Sequence, residues 1–370
     1  MTDAKVETNA GTKSDTKVEM NPLLRQMVER GASDLHMSAG APPCLRIDER
    51  LLPIDGDGAL TPEETQRLAY SLLSPPQIET FEREKELDMS FGISGMGRFR
   101  VNVFYQRGTV SLAIRMLPLA ARTFVECGLP EKVVTDLCRR PKGLVLVTGA
   151  TGSGKSTTLA AMVEWINQER QCHIVTIEDP VEYIHTNGKA IIDQREIGTD
   201  THSFTNALKH ALRQDPNVIL IGEMRDLETI EAALTIAETG HLVFATLHTS
   251  DAVQTINRIV DVFPAHQQQQ VRIQLSFVLL GALAQQLIPK PGGRGRTLAI
   301  EVMIATPAIR SLIREGKTHQ VYSVIQTSQR EGMRTMNQSL AELYLQKQIS
   351  YEDAIGRSTD PEELLRLMQR

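Results

Sequence analysis

Residues 143–158 read GLVLVTGATGSGKSTT. Gly149, Gly152 and Gly154 free the backbone to curl, with Thr151 and Ser153 between them, so that successive N–H groups converge on one point. Lys155 follows at the spacing that reaches the β and γ phosphates of a nucleotide. The Ser156 hydroxyl can take one Mg²⁺ position, and Thr157 lies beside it. Residues 149–156 fit the pattern G-x-x-x-x-G-K-[ST]. The competing reading is a chance glycine-rich turn before a helix. An apolar strand before it, a helix after it, and Lys and Ser together in register argue for a nucleoside triphosphate instead.

Acidic and imidazole groups stand at the ends of three further apolar runs. The run 173–177 leads into Glu178-Asp179-Pro180, with Glu182 just beyond; the run 218–221 leads into Gly222-Glu223-Met224-Arg225-Asp226; and the run 242–247 leads into His248-Thr249. In an open parallel sheet, ligand chemistry gathers at the C-terminal strand ends. Glu223, in the Walker B position, is therefore the candidate to polarise an attacking water, Glu178 the candidate to orient metal or water, and His248 a third catalytic candidate. A lone strand-end carboxylate is usually a solvated or capping group, and a histidine there can simply bond the next strand. Arg213 and Arg225 could serve a neighbouring subunit or pair with nearby acids.

The elements that must position these groups follow from periodicity. Runs at 144–147, 173–177, 218–221 and 242–247 are almost continuously apolar, as strands covered on both faces must be, and helices fall between them. This predicts an α/β sheet domain with late helices running to the C-terminus. Ahead of it lies a small α+β domain over 21–118, its first helix capped by Asn21-Pro22 and two later ones opening at Thr61-Pro62 and Ser74-Pro75. Residues 1–20 mix both signs of charge with Thr, Ser and Gly and read as a disordered tail. A linker over 119–125 joins the domains, and the second occupies 126–370.

In the first domain, residues 98–106 alternate, with Phe99, Val101, Val103 and Tyr105 on one face and Arg98, Arg100 and Asn102 on the other. With Arg107-Gly108 as a two-residue loop, Arg100 falls opposite Arg115. Two cations facing each other repel unless an anion, such as a phosphate, lies between them; two solvated surface arginines are the alternative.

Composition narrows the class. The chain has 370 residues, net charge −5 and 4% aromatics, so neither a basic field nor base-stacking platforms point to nucleic acid. Cys44, Cys127, Cys138 and Cys172 are dispersed without zinc spacing, which fits a reduced cytosolic chain. No run approaches the roughly 20 apolar residues of a membrane helix, so any membrane contact is expected to be peripheral.

The phosphate loop, the acidic box 177–182, the Walker B box 221–226 and the histidine box from 238–241 to 248–249 occur in a fixed order that resembles the type II/IV secretion ATPase superfamily. Within it the chain is similar to the type IV pilus retraction ATPases. Residues 33–36 (SDLH), 98–102 (RFRVN) and 308–315 (AIRSLIRE) carry that likeness. The last segment is the family's AIRNLIRE motif with Ser311 for Asn: Ala308, Ile309, Arg310, Leu312, Ile313, Arg314 and Glu315. It reads as a helix from Thr306-Pro307 to Gly316, with Ile309, Leu312 and Ile313 inward and Arg310 and Arg314 outside; spacing alone allows an ordinary amphipathic helix. The resemblance implies a PAS-like N-terminal domain, a RecA-like ATPase domain and a homohexameric ring using ATP and Mg²⁺. It also implies Arg100 and Arg115 reaching the nucleotide's phosphates and residues 308–315 serving retraction rather than hydrolysis. Further implications are an inner-membrane platform protein and a paralogous retraction ATPase as partners, and a cytoplasmic location at the inner face of the pilus base. Assembly and type II secretion ATPases usually carry an extra N-terminal domain and a four-cysteine zinc element; neither is seen here, which favours retraction. An accessory retraction paralogue and an assembly ATPase are alternatives within the family, and a DNA translocase or a non-hydrolysing scaffold outside it.

Overall fold

A computed structural model describes residues 19–369 apart from 48–49, 55–57, 94–95, 118–119 and 293–294. Most of the expected tail and the first residue of the expected linker therefore lie outside the described residues. The chain forms two compact units, Met1–Pro118 and Leu119–Arg370.

In the first unit, strands β1 (Asp34–Met37), β2 (Cys44–Ile47), β3 (Arg50–Pro53), β4 (Glu86–Ile93), β5 (Gly97–Gln106) and β6 (Thr109–Leu117) form an antiparallel sheet in the order β3-β2-β1-β6-β5-β4. Phe99, Val101 and Val103 of β5 and Leu112 and Ile114 of β6 face a core shared with Leu23, Leu24 and Met27 of helix Met20–Glu29 and Phe81 of helix Pro75–Glu84. Helices Pro62–Tyr70 and Pro75–Glu84 open with capping boxes, Thr61 with Glu64 and Ser74 with Gln77, satisfying N–H groups that the first turn leaves orphaned. The first helix differs from expectation: its N-cap is Glu19. Asn21 and Pro22 lie inside the first turn, where a missing proline N–H removes no helical bond.

The β5–β6 hairpin turns at Arg107 (φ 49°) and Gly108 (φ 78°), the left-handed pair that two-residue hairpins favour. The resulting register places Arg100 opposite Arg115. Pairing extends the row across the sheet: Ser90 is opposite Arg100, Arg115 opposite Asp34, and Asp34 opposite Arg46.

The second unit is built on a seven-stranded sheet of described residues. Its strands are β7 (Gly143–Thr148), β8 (His173–Glu178), β9 (Ile191–Glu196), β10 (Val218–Ile221), β11 (Leu242–Leu247), β12 (Leu279–Pro289) and β13 (Arg296–Ile304), in the order β13-β12-β7-β11-β10-β8-β9. All neighbours are parallel except β12 with β13. β7, β10 and β11 are buried throughout, because helices cover both faces of a parallel sheet.

Three of these strands were absent from the sequence reading. The stretch expected to continue as late helices instead crosses from helix Ala265–Val278 straight into β12, which pairs with β13 from Gly281 opposite Ile304 to Pro289 opposite Arg296. Leu, Ala and Gln in LLGALAQQLIP favour helix locally; burial against β7 overrides that preference. The final helices, among them Met336–Leu345 and Pro361–Met368, pack on Ile288 of β12 and Ala299 of β13. None of the described helices is long and apolar enough to cross a membrane.

Candidate nucleotide site

The parallel register brings the predicted polar groups to one edge. Thr148 at the end of β7 is level with Leu247 of β11 and Ala284 of β12. His248 follows Leu247, Gly222-Glu223 follow β10, and Glu178 ends β8.

After Thr148 the chain turns at Gly149, whose φ is +140°. A Cβ on Gly149 would lie 2.4 Å from the Gln285 carbonyl oxygen of β12 and 2.6 Å from Ser153 Oγ. The loop is thus wedged against β12, and only glycine fits. Gly152 (φ 80°) and Gly154 (φ 90°) complete the curl, and Gly154 is the N-cap of helix Lys155–Glu169. The positive end of that helix dipole meets the loop N–H groups. Thr151 is exposed at the tip. Around the loop base, the buried hydroxyls of Thr148 and Ser153 and Oε1 of Gln285 have no hydrogen-bond partner among the described residues. Gln285 Nε2 donates to Thr158 Oγ1 at 2.7 Å.

Lys155 is only 9% exposed. Its ammonium donates to the Gly149 and Ala150 carbonyl oxygens at 2.9 and 3.1 Å. Burial lowers its pKa, while attraction to Glu223 and Glu182 works the other way. Thr157 Oγ1 lies 2.9 Å from the Tyr183 hydroxyl, tying the loop that follows β8 to the phosphate-loop helix. Ser156 sits half-buried one residue into that helix and makes no hydrogen bond through its hydroxyl among the described residues.

Glu223 is gripped on both oxygens. His248 Nε2 is 2.9 Å from Oε1 and Arg225 Nη2 is 2.8 Å from Oε2. Burial pushes the Glu223 carboxyl up, but the Arg225 hydrogen bond and the charges of His248, Arg225 and Lys155 together hold it below the usual carboxylate range. Arg225, with the two roles that its sequence context allowed, is thus an intramolecular partner of Glu223. Glu178 has the opposite character. Burial raises its pKa, against hydrogen bonds from Thr176 and Gln194; Thr176 Oγ1 donates to Oε1 at 2.6 Å and Gln194 Nε2 at 3.4 Å. Two acids at neighbouring strand ends are therefore driven apart, with the pKa of Glu223 lowered and that of Glu178 raised. The donor set suits Mg²⁺ held chiefly by phosphates and water. Such a site needs only one protein hydroxyl, here Ser156, and a carboxylate acting through water; among the described residues no group of three or more His, Cys, Asp or Glu is placed to hold a metal ion by itself.

Arg100 and Arg115 belong to the N-terminal unit. Arg115 Nε is 2.8 Å from Asp34 Oδ1, and Asp34 is also 3.9 Å from Arg46 Nε. The repulsion inferred from the Arg100–Arg115 pairing is therefore already relieved on one side by a protein carboxylate. Asp34, in the SDLH segment, was the missed member of the row.

The helix Pro307–Arg314 is N-capped by Thr306 and buries Ile309 and Ile313. Leu312 packs half-buried on the same core, while Ala308 is exposed. One orientation differs from expectation: Arg310 does not point outside. Its guanidinium donates to the Ala305 carbonyl at 2.8 Å and to the Ser276 and Phe277 carbonyls at 2.5 and 2.7 Å. It closes the C-terminal end of helix Ala265–Val278, whose last carbonyls lack helical partners. Burial lowers its pKa, with Arg140 and Arg314 adding repulsion. Arg314 is half-buried, and Glu315 accepts from Ser311 Oγ at 2.8 Å and pairs with Lys317 Nζ at 2.8 Å. Ser311 thus serves the local hydrogen bonding at the position where it replaces Asn.

A glycine loop at the end of one parallel strand, a helix opening on it, and Glu and His at neighbouring strand ends define a P-loop nucleotide hydrolase. The chain belongs to the type II/IV secretion system protein family, whose match spans residues 12–355. Among its relatives, the type IV pilus retraction ATPase PilT of Pseudomonas aeruginosa is 48% identical over 347 residues, covering 93% of this chain and 99% of that protein. The type IV pilus ATPase PilU of the same organism is 43% identical over 351 residues, 95% and 91% of the two chains. The solved structure of the pilus retraction motor PilT with bound ADP matches with a TM-score of 0.89 at 54% identity, covering 94% of this chain and 99% of that one.

Proposed function

We propose that this chain is an ATP-hydrolysing motor that powers type IV pilus retraction. The observation that carries the reading is Glu223, held ionised between His248 and Arg225 at the strand-end edge that also bears the phosphate loop. The near full-length likeness to PilT supplies the biological direction.

In this reading the N–H groups of Gly149, Thr151, Gly152, Ser153, Gly154, Ser156 and Thr157 cradle the β and γ phosphates of ATP. Lys155 leaves the Gly149 and Ala150 carbonyls for the more negative phosphate oxygens. Ser156 would hold Mg²⁺ directly and Glu178 would hold it through water, and the bound cation would supply charge neutralisation to the reaction. Glu223 accepts a proton from the attacking water. His248 keeps the Glu223 carboxylate turned toward the γ-phosphate, and Thr157 fixes the loop through Tyr183.

The wider assembly extends the proposal. A PAS-like domain over 21–118 presents Arg100 and Arg115 to the nucleotide, a hinge over 119–125 joins it to a RecA-like domain over 126–370, and six copies form a ring. The ring works in the cytoplasm against an inner-membrane platform protein at the pilus base, with a paralogous retraction ATPase as a further partner and without nucleic acid. Residues 308–315 act in retraction, Arg310 by fixing helix Ala265–Val278.

Deleting the gene and scoring surface pili and twitching together tests the direction. Abundant pili without twitching are expected. Bald cells would assign assembly, and unchanged pili with normal twitching would assign an accessory role of the kind that the likeness to PilU allows.

A further inference from the structure

Glu301 of β13 is an acid that the nucleotide chemistry does not use. It is 2% exposed, where an acid side chain is rarely found unless it is fully engaged. Its two oxygens serve two different helices. Oε1 accepts from the Ala252 N–H at 2.8 Å and Oε2 from the Met336 N–H at 3.4 Å. Ala252 opens helix Ala252–Asp261 and Met336 opens helix Met336–Leu345, so two helix N-termini converge on one carboxyl group.

Each contact has a distinct reach. Residues 248–251 are all that separate Ala252 from the end of β11, and they include His248. The loop is also pinned where Thr249 Oγ1 meets Thr255 Oγ1 at 2.7 Å. Fixing Ala252 therefore limits where His248 can place its ring against Glu223. On the other side, Val302, next to Glu301, exchanges backbone hydrogen bonds with Arg334 at 2.9 and 3.1 Å. β13 is thus laced to the segment that leads into helix Met336–Leu345, and that helix packs with Leu364 of the last helix.

We propose that Glu301 is a positioning residue for His248 that couples the loop after β11 to the C-terminal helices, so that nucleotide-driven movement of the loop is passed to those helices and the reverse. The proposal rests on the reading of His248 and Glu223 as parts of the hydrolytic site.

Glutamate suits this task in a way its amide cannot. A carboxylate offers two accepting oxygens to two N–H donors. Glutamine has the same shape but puts an N–H₂ against one of them, leaving a buried donor unpaired. Protonation has a milder form of the same effect, since the O–H oxygen is a poorer acceptor. Burial pushes the Glu301 carboxyl up to about 7, Asp251 adds repulsion, and the Ala252 and Met336 N–H groups pull it back down. Tyr322 also feels the Glu301 charge, while Arg334, whose backbone pairs with Val302, has its side chain engaged with Glu342 at 3.1 Å.

The test is E301Q in the full-length protein, with ATP turnover followed from pH 6 to 8. We expect kcat to fall about fivefold, as for loss of one buried hydrogen bond, with the KM for ATP unchanged, and the rise in turnover through pH 7 to flatten. A kcat and pH profile equal to those of the wild type overturns the coupling. Should E301Q not fold, hydrogen exchange on the wild-type chain decides. Adding a non-hydrolysable ATP analogue is expected to change protection of residues 248–255 and 336–340 together, and a change confined to 248–255 overturns the coupling. H248A separates the two levels: wild-type turnover in H248A removes the site reading beneath the proposal, whereas lost turnover in H248A beside wild-type behaviour in E301Q overturns the Glu301 linkage alone.

Discussion

Replacing Glu223 with Gln keeps the side-chain shape and removes the charge on which the proposed hydrolysis depends. The wild-type carboxylate accepts from His248 at 2.9 Å and from Arg225 at 2.8 Å; the amide can accept from only one and sets an N–H₂ against the other. The phosphate loop is untouched, so ATP binding should persist. Loss of a general base corresponds to about 10²–10⁴ in rate, or roughly 3–5 kcal/mol of transition-state stabilisation. Global stability should barely move. The Arg225 side chain is 75% exposed, and exposed pairs contribute about 0–1 kcal/mol. The companion R225Q separates charge tuning from catalysis. Burial pushes Glu223 up, and removing the Arg225 hydrogen bond and charge takes away a large part of what holds it down. Its folded pKa then rises, so the acid limb of kcat/KM moves to higher pH, while turnover at pH 8 stays near that of the wild type. The assay is steady-state phosphate release across pH, with fluorescent-nucleotide binding in parallel. E223Q turnover within about threefold of the wild type, at saturating ATP and with binding intact, would refute the assignment of Glu223 as base, because a base contributes at least about a hundredfold.

K155A should lose nucleotide binding as well as turnover, since the ammonium is the loop's one mobile cation for the phosphates; equilibrium binding of labelled ATP measures it. G149A should fold but bind ATP poorly, because its Cβ meets the Gln285 carbonyl at 2.4 Å, and the same titration checks it. R310A removes three hydrogen bonds to the Ala305, Ser276 and Phe277 carbonyls. At about 1 kcal/mol each or somewhat less, it should lower the melting temperature by several degrees while basal ATPase survives, with twitching the sensitive readout. Glu301, raised to about 7 by burial, binds its proton more tightly folded than unfolded. Its contribution to stability is therefore full below the ordinary carboxylate range and is lost as pH rises toward about 7, by on the order of 3 kcal/mol; denaturant midpoints from pH 4 to 8 should show that decline, and E301Q should lack it.

Much of this site was legible in the sequence because its parts obey local rules. A phosphate loop needs glycines where φ is positive, and Gly149, Gly152 and Gly154 occupy those conformations. Strands buried on both faces must be continuously apolar, which placed β7, β8, β10 and β11 and so the polar groups at their ends. The hairpin register followed from Arg107-Gly108, whose left-handed pair fixes the turn. What stayed hidden depends on neighbours distant in sequence. Asp34 faces Arg115 only because β1 pairs with β6, and no local pattern announces that pairing. Arg310 sits on the polar side of its own helix by periodicity, yet the orphaned carbonyls of helix Ala265–Val278 draw it in.

The β12–β13 pair explains why this hidden part matters to the chemistry. β12 lies directly beside β7, closing off Gly149 through the Gln285 backbone and holding Thr158 through the Gln285 side chain. A Cβ on Gly154 would lie 3.4 Å from Leu287 Cδ1, so β12 also lines that turn. β13, paired to it along its length, carries Glu301 to the helix that begins just after the His248 loop. The same two strands seat the C-terminal helices through Ile288 and Ala299. If the phosphate loop shifts on binding nucleotide, β12 and β13 offer a path for that shift to the C-terminal helices, because a packed sheet has few intermediate positions available to it. Helix Pro307–Arg314 begins three residues after β13 ends and is fixed by Arg310 to the helix that feeds β12. Residues 308–315 thus lie next to the β12–β13 pair, of which β12 borders the phosphate-loop strand β7. Under the proposed function, that is the placement expected of a segment that acts in retraction rather than in hydrolysis.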